Sequence, residues 1–165
     1  MSKKNTLIDR IAFIVLGVPV AIVILGVITP IAIFTLPFYY IYGQALFLLW
    51  HHKHGKDGKV FLAVYSDSHK WKEYFPDKIL PVLEDKAVIV NISADPTWKA
   101  ARSIERLAHR HWGGRQEHTP IILFLPRRGR VQEVRFYEAF LAYAKRGDES
   151  ELLAQIEKLK SLVAP

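Results

Sequence analysis

The chain has 165 residues, no cysteine and a formal net charge of +7. Because cysteine is absent, disulfide bonds, thiolate metal sites and cysteine nucleophiles are excluded. The charges are unevenly placed: 20 of the 23 Lys and Arg residues and 15 of the 16 Asp and Glu residues follow Trp50. The chain therefore divides into a nearly uncharged N-terminal part and a charged globular part of one-domain length.

Residues 11–50 contain no charged side chain. At about 1.5 Å per helical residue, this run is about twice as long as the roughly 30 Å hydrocarbon core of a bilayer. It is also longer than the apolar core of a signal peptide and has no clear small-residue cleavage site, so we expect it to be retained. We assign residues 1–54 to a membrane anchor and residues 55–165 to one soluble domain.

Gly26, Pro30 and Pro37 lie near the middle of the apolar run, where proline ends or kinks a helix. They predict two spans, 11–28 and 32–50. Basic residues stand on both sides of the run: Lys3, Lys4, Arg10, Lys53, Lys56 and Lys59. A helical hairpin with the soluble domain on the cytoplasmic face satisfies the positive-inside rule at both flanks. The alternatives are one kinked crossing or a re-entrant segment.

Beyond the anchor, apolar runs rich in β-branched residues predict strands over 60–66, 87–92, 120–125 and 131–137. Helical spacing and capping residues predict helices over 69–84, 95–112, 138–145 and 149–162. The core order is β-α-β-α-β-β-α. Strands that alternate with helices favour parallel pairing, and the closing hairpin adds an antiparallel edge, so we predict a three-layer α/β sandwich.

Two prolines occupy distinctive places in this order. His118-Thr119-Pro120 precedes the third strand, and Pro76 falls where the first domain helix would bend. With the element order over residues 59–163, these features resemble the thioredoxin fold, in which a cis-proline opens the third core strand and another proline kinks the first helix. The resemblance implies a cis peptide bond before Pro120 and a groove beside it that holds an extended peptide.

The same resemblance places Ser68 and Trp71 at the positions of the family's two redox cysteines. Neither side chain can carry out thiol-disulfide exchange, so oxidoreductase activity is excluded. What remains is a redox-inactive interaction or assembly module without a cofactor. Its implied groove is formed by Ser68, Trp71, Thr119 and Pro120, and its expected partners are membrane lipid and either another protein or a second copy of this chain.

An enzyme is the alternative from another class. Ser66, Asp67, Ser68 and His69 follow the first strand, at the end where α/β proteins carry functional groups. A serine nucleophile needs a base within reach and a third group that orients the base. Because Asp and Ser before a helix are also ordinary N-caps, we favour capping by Asp67 or Ser68 and expect no catalytic activity.

Histidines near the end of the anchor raise the question of a metal. His51, His52 and His54 lack the i, i+4 spacing that helical metal ligands usually have. We therefore predict a polar interfacial flank and no metal site. His109, His111 and His118 would join a site only if the tertiary structure brought them close.

Basic residues supply the clearest surface signal. Four of them fall within an arc of about 80° on the second predicted helix: Lys99, Arg102, Arg106 and Arg110. Three more follow the third strand: Arg127, Arg128 and Arg130. A solvated helix face is the favoured interpretation. Recognition of anionic lipid, worth about 1 kcal/mol for each nearby Lys or Arg, is the second, an acidic partner the third, and we expect no nucleic-acid partner.

Overall fold

The computed structural model describes residues 15, 17–98, 100, 102–114 and 119–164. The chain divides into two compact units, Met1–Gln44 and Ala45–Pro165. Residues 45–54, which the sequence analysis assigned to the anchor, lie in the second unit.

The described part of the first unit is helical. Helix α1 (Val18–Val23) continues through a π-helical turn (Ile24–Ile28) into helix α2 (Thr29–Lys53), whose last residues belong to the second unit. Most described side chains before Gln44 are exposed although they are apolar. By length and composition, the segment Ile24–Lys53 is able to cross a membrane, a criterion that a signal sequence also meets.

The predicted hairpin is not confirmed, because the backbone stays helical where the turn was expected. The π-helical turn explains how the helix passes Pro30, whose ring crowds the turn before it. The backbone N–H of Thr29 donates to the carbonyl oxygen of Ile24, five residues earlier, which widens the helix at this point. Pro37 lies inside α2. Residues 11–14 and 16 of the first predicted span, and the basic residues before it, lie outside the described residues.

The second unit is built on a mixed four-stranded sheet. Its strands are β1 (Phe61–Tyr65), β2 (Ala87–Asn91), β3 (Ile121–Phe124) and β4 (Gln132–Arg135). The order is β2-β1-β3-β4; β1 and β2 are parallel, whereas β3 is antiparallel to both β1 and β4. The four predicted strands and the antiparallel edge are therefore confirmed, each strand being slightly shorter than predicted.

Apolar side chains cover both faces of this sheet. Alternate residues of a strand point to opposite faces, and Phe61 and Ala63 of β1 join one core cluster while Leu62 and Val64 join another. The first cluster includes the buried side chains Phe75, Phe136, Phe140, Leu152 and Leu159. The second includes Trp50, Trp98, Ala108, Ile121 and Leu123. Trp50 brings the end of α2 into the domain core, where it is fully buried.

The helical segments differ from the predictions in two places. The first domain helix is irregular: a π-helical turn (Phe75–Ile79) passes into a 3-10 segment (Leu80–Lys86). Pro76 and Pro81 remove backbone donors there, so a regular helix cannot form over 69–84.

The second predicted helix is shorter than expected. Helix α3 (Ile104–Trp112) begins after Ser103, whose hydroxyl accepts the N–H of Arg106 at 3.2 Å. Asp95 caps only one turn, accepting the N–H and the hydroxyl of Thr97. The last two helices, α4 (Tyr137–Arg146) and α5 (Ser150–Val163), lie where they were predicted.

Candidate functional site

Polar groups meet where β1 ends and β3 begins. The hydroxyls of Ser66 and Thr119 are 3.0 Å apart, and the indole N–H of Trp71 donates to the carbonyl oxygen of Ser66 at 2.8 Å. The peptide bond between Thr119 and Pro120 is cis, as the resemblance implied. The structure thus brings together Trp71 and Thr119, two of the residues predicted for the groove, through Ser66.

The predicted groove residues differ in how they are placed. Trp71 and Thr119 are only 5 and 3 % exposed, and the Trp71 ring packs against Tyr137 and Phe140 in the core. Ser68 is half-buried, and its carbonyl oxygen accepts the N–H groups of Trp71 and Lys72, which begins the first helical turn. The polar edge is therefore formed by hydroxyl and backbone groups, with the Trp71 ring behind them.

A second set of contacts extends this edge toward β2. The carboxylate of Asp67 accepts the side-chain amide of Asn91 at 2.8 Å, and the backbone N–H of Asp67 donates to the hydroxyl of Ser93 at 3.0 Å. Asn91 in turn accepts the N–H of Ser93. These bonds tie together the carboxyl ends of the parallel strands β1 and β2, so Asp67 has a structural role in holding the edge.

Among the described contacts, Ser66 lacks the neighbouring base that a serine nucleophile needs. The hydroxyl of Ser66 meets another hydroxyl, that of Thr119, and not an imidazole. His69 is exposed and lines a cavity of about 320 Å³ with the residues that follow it, up to Tyr74. Ser66, Asp67 and Ser68 do not line that cavity. Within the described contacts, the four residues of the enzymatic alternative therefore do not converge.

The described residues of the predicted basic surface lie on more than one element. Arg102 precedes the N-cap of α3, so only Arg106 and Arg110 lie on that helix, and Lys99 lies outside the described residues. The guanidinium of Arg106 stands 5.3 Å from the ring centre of Trp98. Arg127 donates to the carbonyl oxygen of Gly55 at 2.8 Å. The last two members of the set, Arg128 and Arg130, are exposed.

A partly buried ionic cluster on the other face of the sheet was not predicted. Glu105, 8 % exposed, accepts the ammonium of Lys53 at 2.7 Å and the imidazole of His54 at 2.6 Å, both on the same carboxylate oxygen. The His54 ring packs on Trp50, with ring centres 4.6 Å apart. The cluster thus joins the end of α2 to helix α3.

Two opposing effects set the ionisation of Glu105. Burial by itself raises the pKa of this carboxyl group, but hydrogen bonds from Lys53, its own backbone N–H, His54 and Ser103 together outweigh burial and lower the pKa to about 2. Glu105 is therefore a carboxylate over the whole neutral range. On α3, Glu105 lies on the same face as Ala108 and His109, three and four residues later, which are also buried.

The histidines do not form a metal site in the described part of the chain, where no three His, Cys, Asp or Glu side chains are grouped to hold an ion. His118 lies outside the described residues. Comparison of the chain with known protein families, with curated proteins and with solved structures found no match. Its function must therefore be argued from the geometry of the molecule itself.

Proposed function

We propose that this chain is a membrane-anchored interaction or assembly module with a thioredoxin-like, redox-inactive domain. The observation that carries the proposal is the strand order β2-β1-β3-β4 with β3 antiparallel to its neighbours. The cis Thr119–Pro120 bond at the start of β3, beside the end of β1, accompanies it. Together they support the resemblance seen in the sequence.

The chemistry left at this edge favours binding over reaction. A thioredoxin-like protein without cysteine has no thiolate to exchange, and Ser68 and Trp71 stand at the matching positions. Their groups here serve the fold, as a helix start and as an indole donor to Ser66. Backbone beside a cis-proline remains suited to pairing with an extended peptide, which gains main-chain hydrogen bonds by lying along it.

Anchoring by helix α2 supports the membrane part of the proposal. The C-terminal turns of α2 belong to the domain, since Leu46 and Trp50 are 2 and 0 % exposed. Of the segment Ile24–Lys53, the part before residue 45 is about 30 Å long at roughly 1.5 Å per residue, which is enough for one crossing of the hydrocarbon core. A single crossing is therefore the anchor that we propose in place of the hairpin.

Site-directed photo-crosslinking of the full chain in its native membrane tests the interaction role. A photo-reactive residue at His69, which is exposed next to the predicted groove, is expected to give a discrete adduct with a partner or a second copy. The same residue at Glu157, exposed on α5 outside the groove, is the matched control. Adducts that are equal at the two positions, or found only at Glu157, would contradict a peptide-binding groove at this edge.

A substitution at the polar edge tests where the partner binds. Replacing Thr119 with Val keeps the side-chain volume but removes the hydroxyl that meets Ser66. The His69 adduct should fall several-fold in this variant while the chain stays folded with a melting temperature only a few degrees lower, since one partly buried hydroxyl pair contributes about 1 kcal/mol. An adduct that persists unchanged would show that binding does not use the edge formed by Ser66 and Thr119.

A further inference from the structure

A shallow groove lies at the end of helix α2, within the second unit. It has a volume of about 350 Å³ and is lined by Phe47, Leu48, His51, Gly55, Lys56 and Arg127. The lining is divided by chemistry: Phe47 and Leu48 are apolar, whereas Lys56 and Arg127 are cationic. None of the described residues that line the groove is acidic.

The apolar side of the groove belongs to the helix that is able to cross a membrane. Leu48 is 69 % exposed and continues the exposed apolar surface of the segment Ile24–Lys53. Phe47 packs edge to face on His51, with ring centres 4.5 Å apart. An acyl chain lying along α2 would cover Leu48 and remove this surface from water.

The cationic side is partly preorganised. Arg127 donates one N–H to the carbonyl oxygen of Gly55 at 2.8 Å, which fixes the guanidinium beside the turn that ends α2. Its other N–H groups have no protein acceptor within the described residues. Lys56 is exposed and makes no ion pair among the described side chains. Two cations that line the same groove, with donors to spare, suit a phosphate group.

His51 completes the wall between the two sides. Both of its ring nitrogens are buried and have no hydrogen-bond partner within the described part of the chain. The ring lies so close to Gly55 that a Cβ at that position would stand 3.2 Å from Nδ1. A buried polar group without a hydrogen-bond partner costs free energy.

We propose that this groove binds the phosphate headgroup of an anionic membrane lipid, with Lys56 and Arg127 on the phosphate and Phe47 and Leu48 beside the acyl chain. Basic pockets beside membrane helices bind anionic headgroups in this way, and each cation near such a surface favours binding. The inference rests on the membrane anchoring proposed above. It differs from the lipid recognition predicted from the sequence, because the site is a groove at the end of α2 and not the basic stripe of the second predicted helix.

Lipid titration of the full-length chain in detergent micelles tests the site. Native mass spectrometry is used to measure the binding of phosphatidic acid, with phosphatidylcholine as the zwitterionic reference. The wild-type chain is expected to prefer phosphatidic acid, and Lys56→Gln should weaken that binding about fivefold. Lys78→Gln removes the same charge from an exposed side chain that does not line the groove, so its affinity should equal that of the wild type.

Further arms separate the sources of failure. Arg127→Gln should also weaken binding about fivefold or more, and its melting temperature is measured because Arg127 also bonds Gly55. Lys56 has no such contact. If Arg127→Gln unfolds, the Lys56→Gln variant alone therefore decides the outcome. Equal effects of Lys56→Gln and Lys78→Gln, or no preference for phosphatidic acid, would overturn the proposal. If soluble glycerol phosphate binds as tightly as the lipid, the phosphate that the groove recognises is not a membrane headgroup.

Flotation of the wild-type chain with pure phosphatidylcholine vesicles tests anchoring separately. This readout does not depend on an anionic headgroup. A chain that floats but shows no preference for phosphatidic acid retains its anchor and refutes the headgroup site, whereas a chain that does not float refutes the anchoring on which the inference rests.

Discussion

Glu105 is an acidic side chain held among apolar and aromatic neighbours on the inner face of α3. A buried carboxylate is tolerated only when it is paired and hydrogen-bonded, and Lys53 and His54 supply both conditions through one oxygen. Lys53 is 49 % exposed, which weakens its Coulomb attraction through solvent screening, whereas His54 is only 13 % exposed. The short bond to His54 is therefore the better shielded half of the cluster.

The Glu105→Gln variant removes the charge but keeps the shape of the side chain. It leaves Lys53 and His54 facing a neutral amide, so we expect the free energy of unfolding to fall by about 1–3 kcal/mol. Chemical denaturation of the full chain in detergent measures the loss. Glu157→Gln, which disrupts the exposed pair with Lys160, serves as the control and should change stability by less than about 0.5 kcal/mol. Equal losses in the two variants would contradict a stabilising role for the cluster.

The lowered pKa of Glu105 also predicts how stability depends on pH. The folded value of about 2 lies below the ordinary 4.5, so the unfolded chain binds the proton more readily. The stabilisation from Glu105 is therefore complete above about pH 4.5 and is lost as the pH falls toward 2. Asp148, whose pKa is lowered chiefly by hydrogen bonds from Ser150, is present in both chains and cancels in the difference.

The measurement is the stability difference between wild type and Glu105→Gln as a function of pH. It should be largest near neutral pH and shrink steadily below about pH 4.5. A difference that stays constant down to the acid limit of folding would show that Glu105 keeps an ordinary pKa in the folded chain.

At the scale of elements, the sequence before α3 contains two candidate N-cap residues. Asp95 followed by Pro96 and Ser103 followed by Ile104 both have the sequence features of a helix start. In the structure Ser103 caps the helix, and Asp95 closes one turn with Thr97. Local propensity does not distinguish a helix that starts at Asp95 from one that starts at Ser103. Burial of Trp98, which lies between the two caps, also contributes to the observed structure.

The Ser103→Ala variant is expected to destabilise α3 by about 1–2 kcal/mol, since it removes the acceptor for the Arg106 N–H and a hydrogen bond to Glu105. Hydrogen exchange of the amides in α3 should speed up accordingly. In the companion variant Asp95→Ala, these amides should exchange at the wild-type rate. Faster exchange in α3 with Asp95→Ala and not with Ser103→Ala would place the functional cap at Asp95.

The elements that could be predicted from the sequence are those with a local signal. Apolar, β-branched runs gave all four strands, and the helices near Tyr137 and Ser150 followed from periodicity. The polar edge was partly predictable, because Pro120 and the residues after β1 were expected at one end of the sheet. The Glu105 cluster was not, because Lys53 and Glu105 are 52 residues apart and only the tertiary fold brings them together.

At the scale of the whole molecule, the end of α2 has two roles. Its upstream residues provide the apolar length for a membrane crossing, and its last turns provide Leu46 and Trp50 to the domain core. A chain that starts at Gly55 would lack Trp50, which is fully buried. Loss of a buried Trp side chain lowers the free energy of unfolding by about 3–5 kcal/mol.

The single crossing makes a prediction about topology that a hairpin does not. Because the chain has no cysteine, single reporters such as Asn5→Cys and Asp57→Cys can be introduced without background labelling. A membrane-impermeant maleimide applied to intact cells should label only one of the two, since one crossing places them on opposite sides. Arg128→Cys, a second reporter in the domain, must match Asp57→Cys for the assay to be valid. If Asn5→Cys and Asp57→Cys share the same accessibility, the chain re-enters on its starting side, and the continuous helix from Val18 to Lys53 does not cross the bilayer as one span.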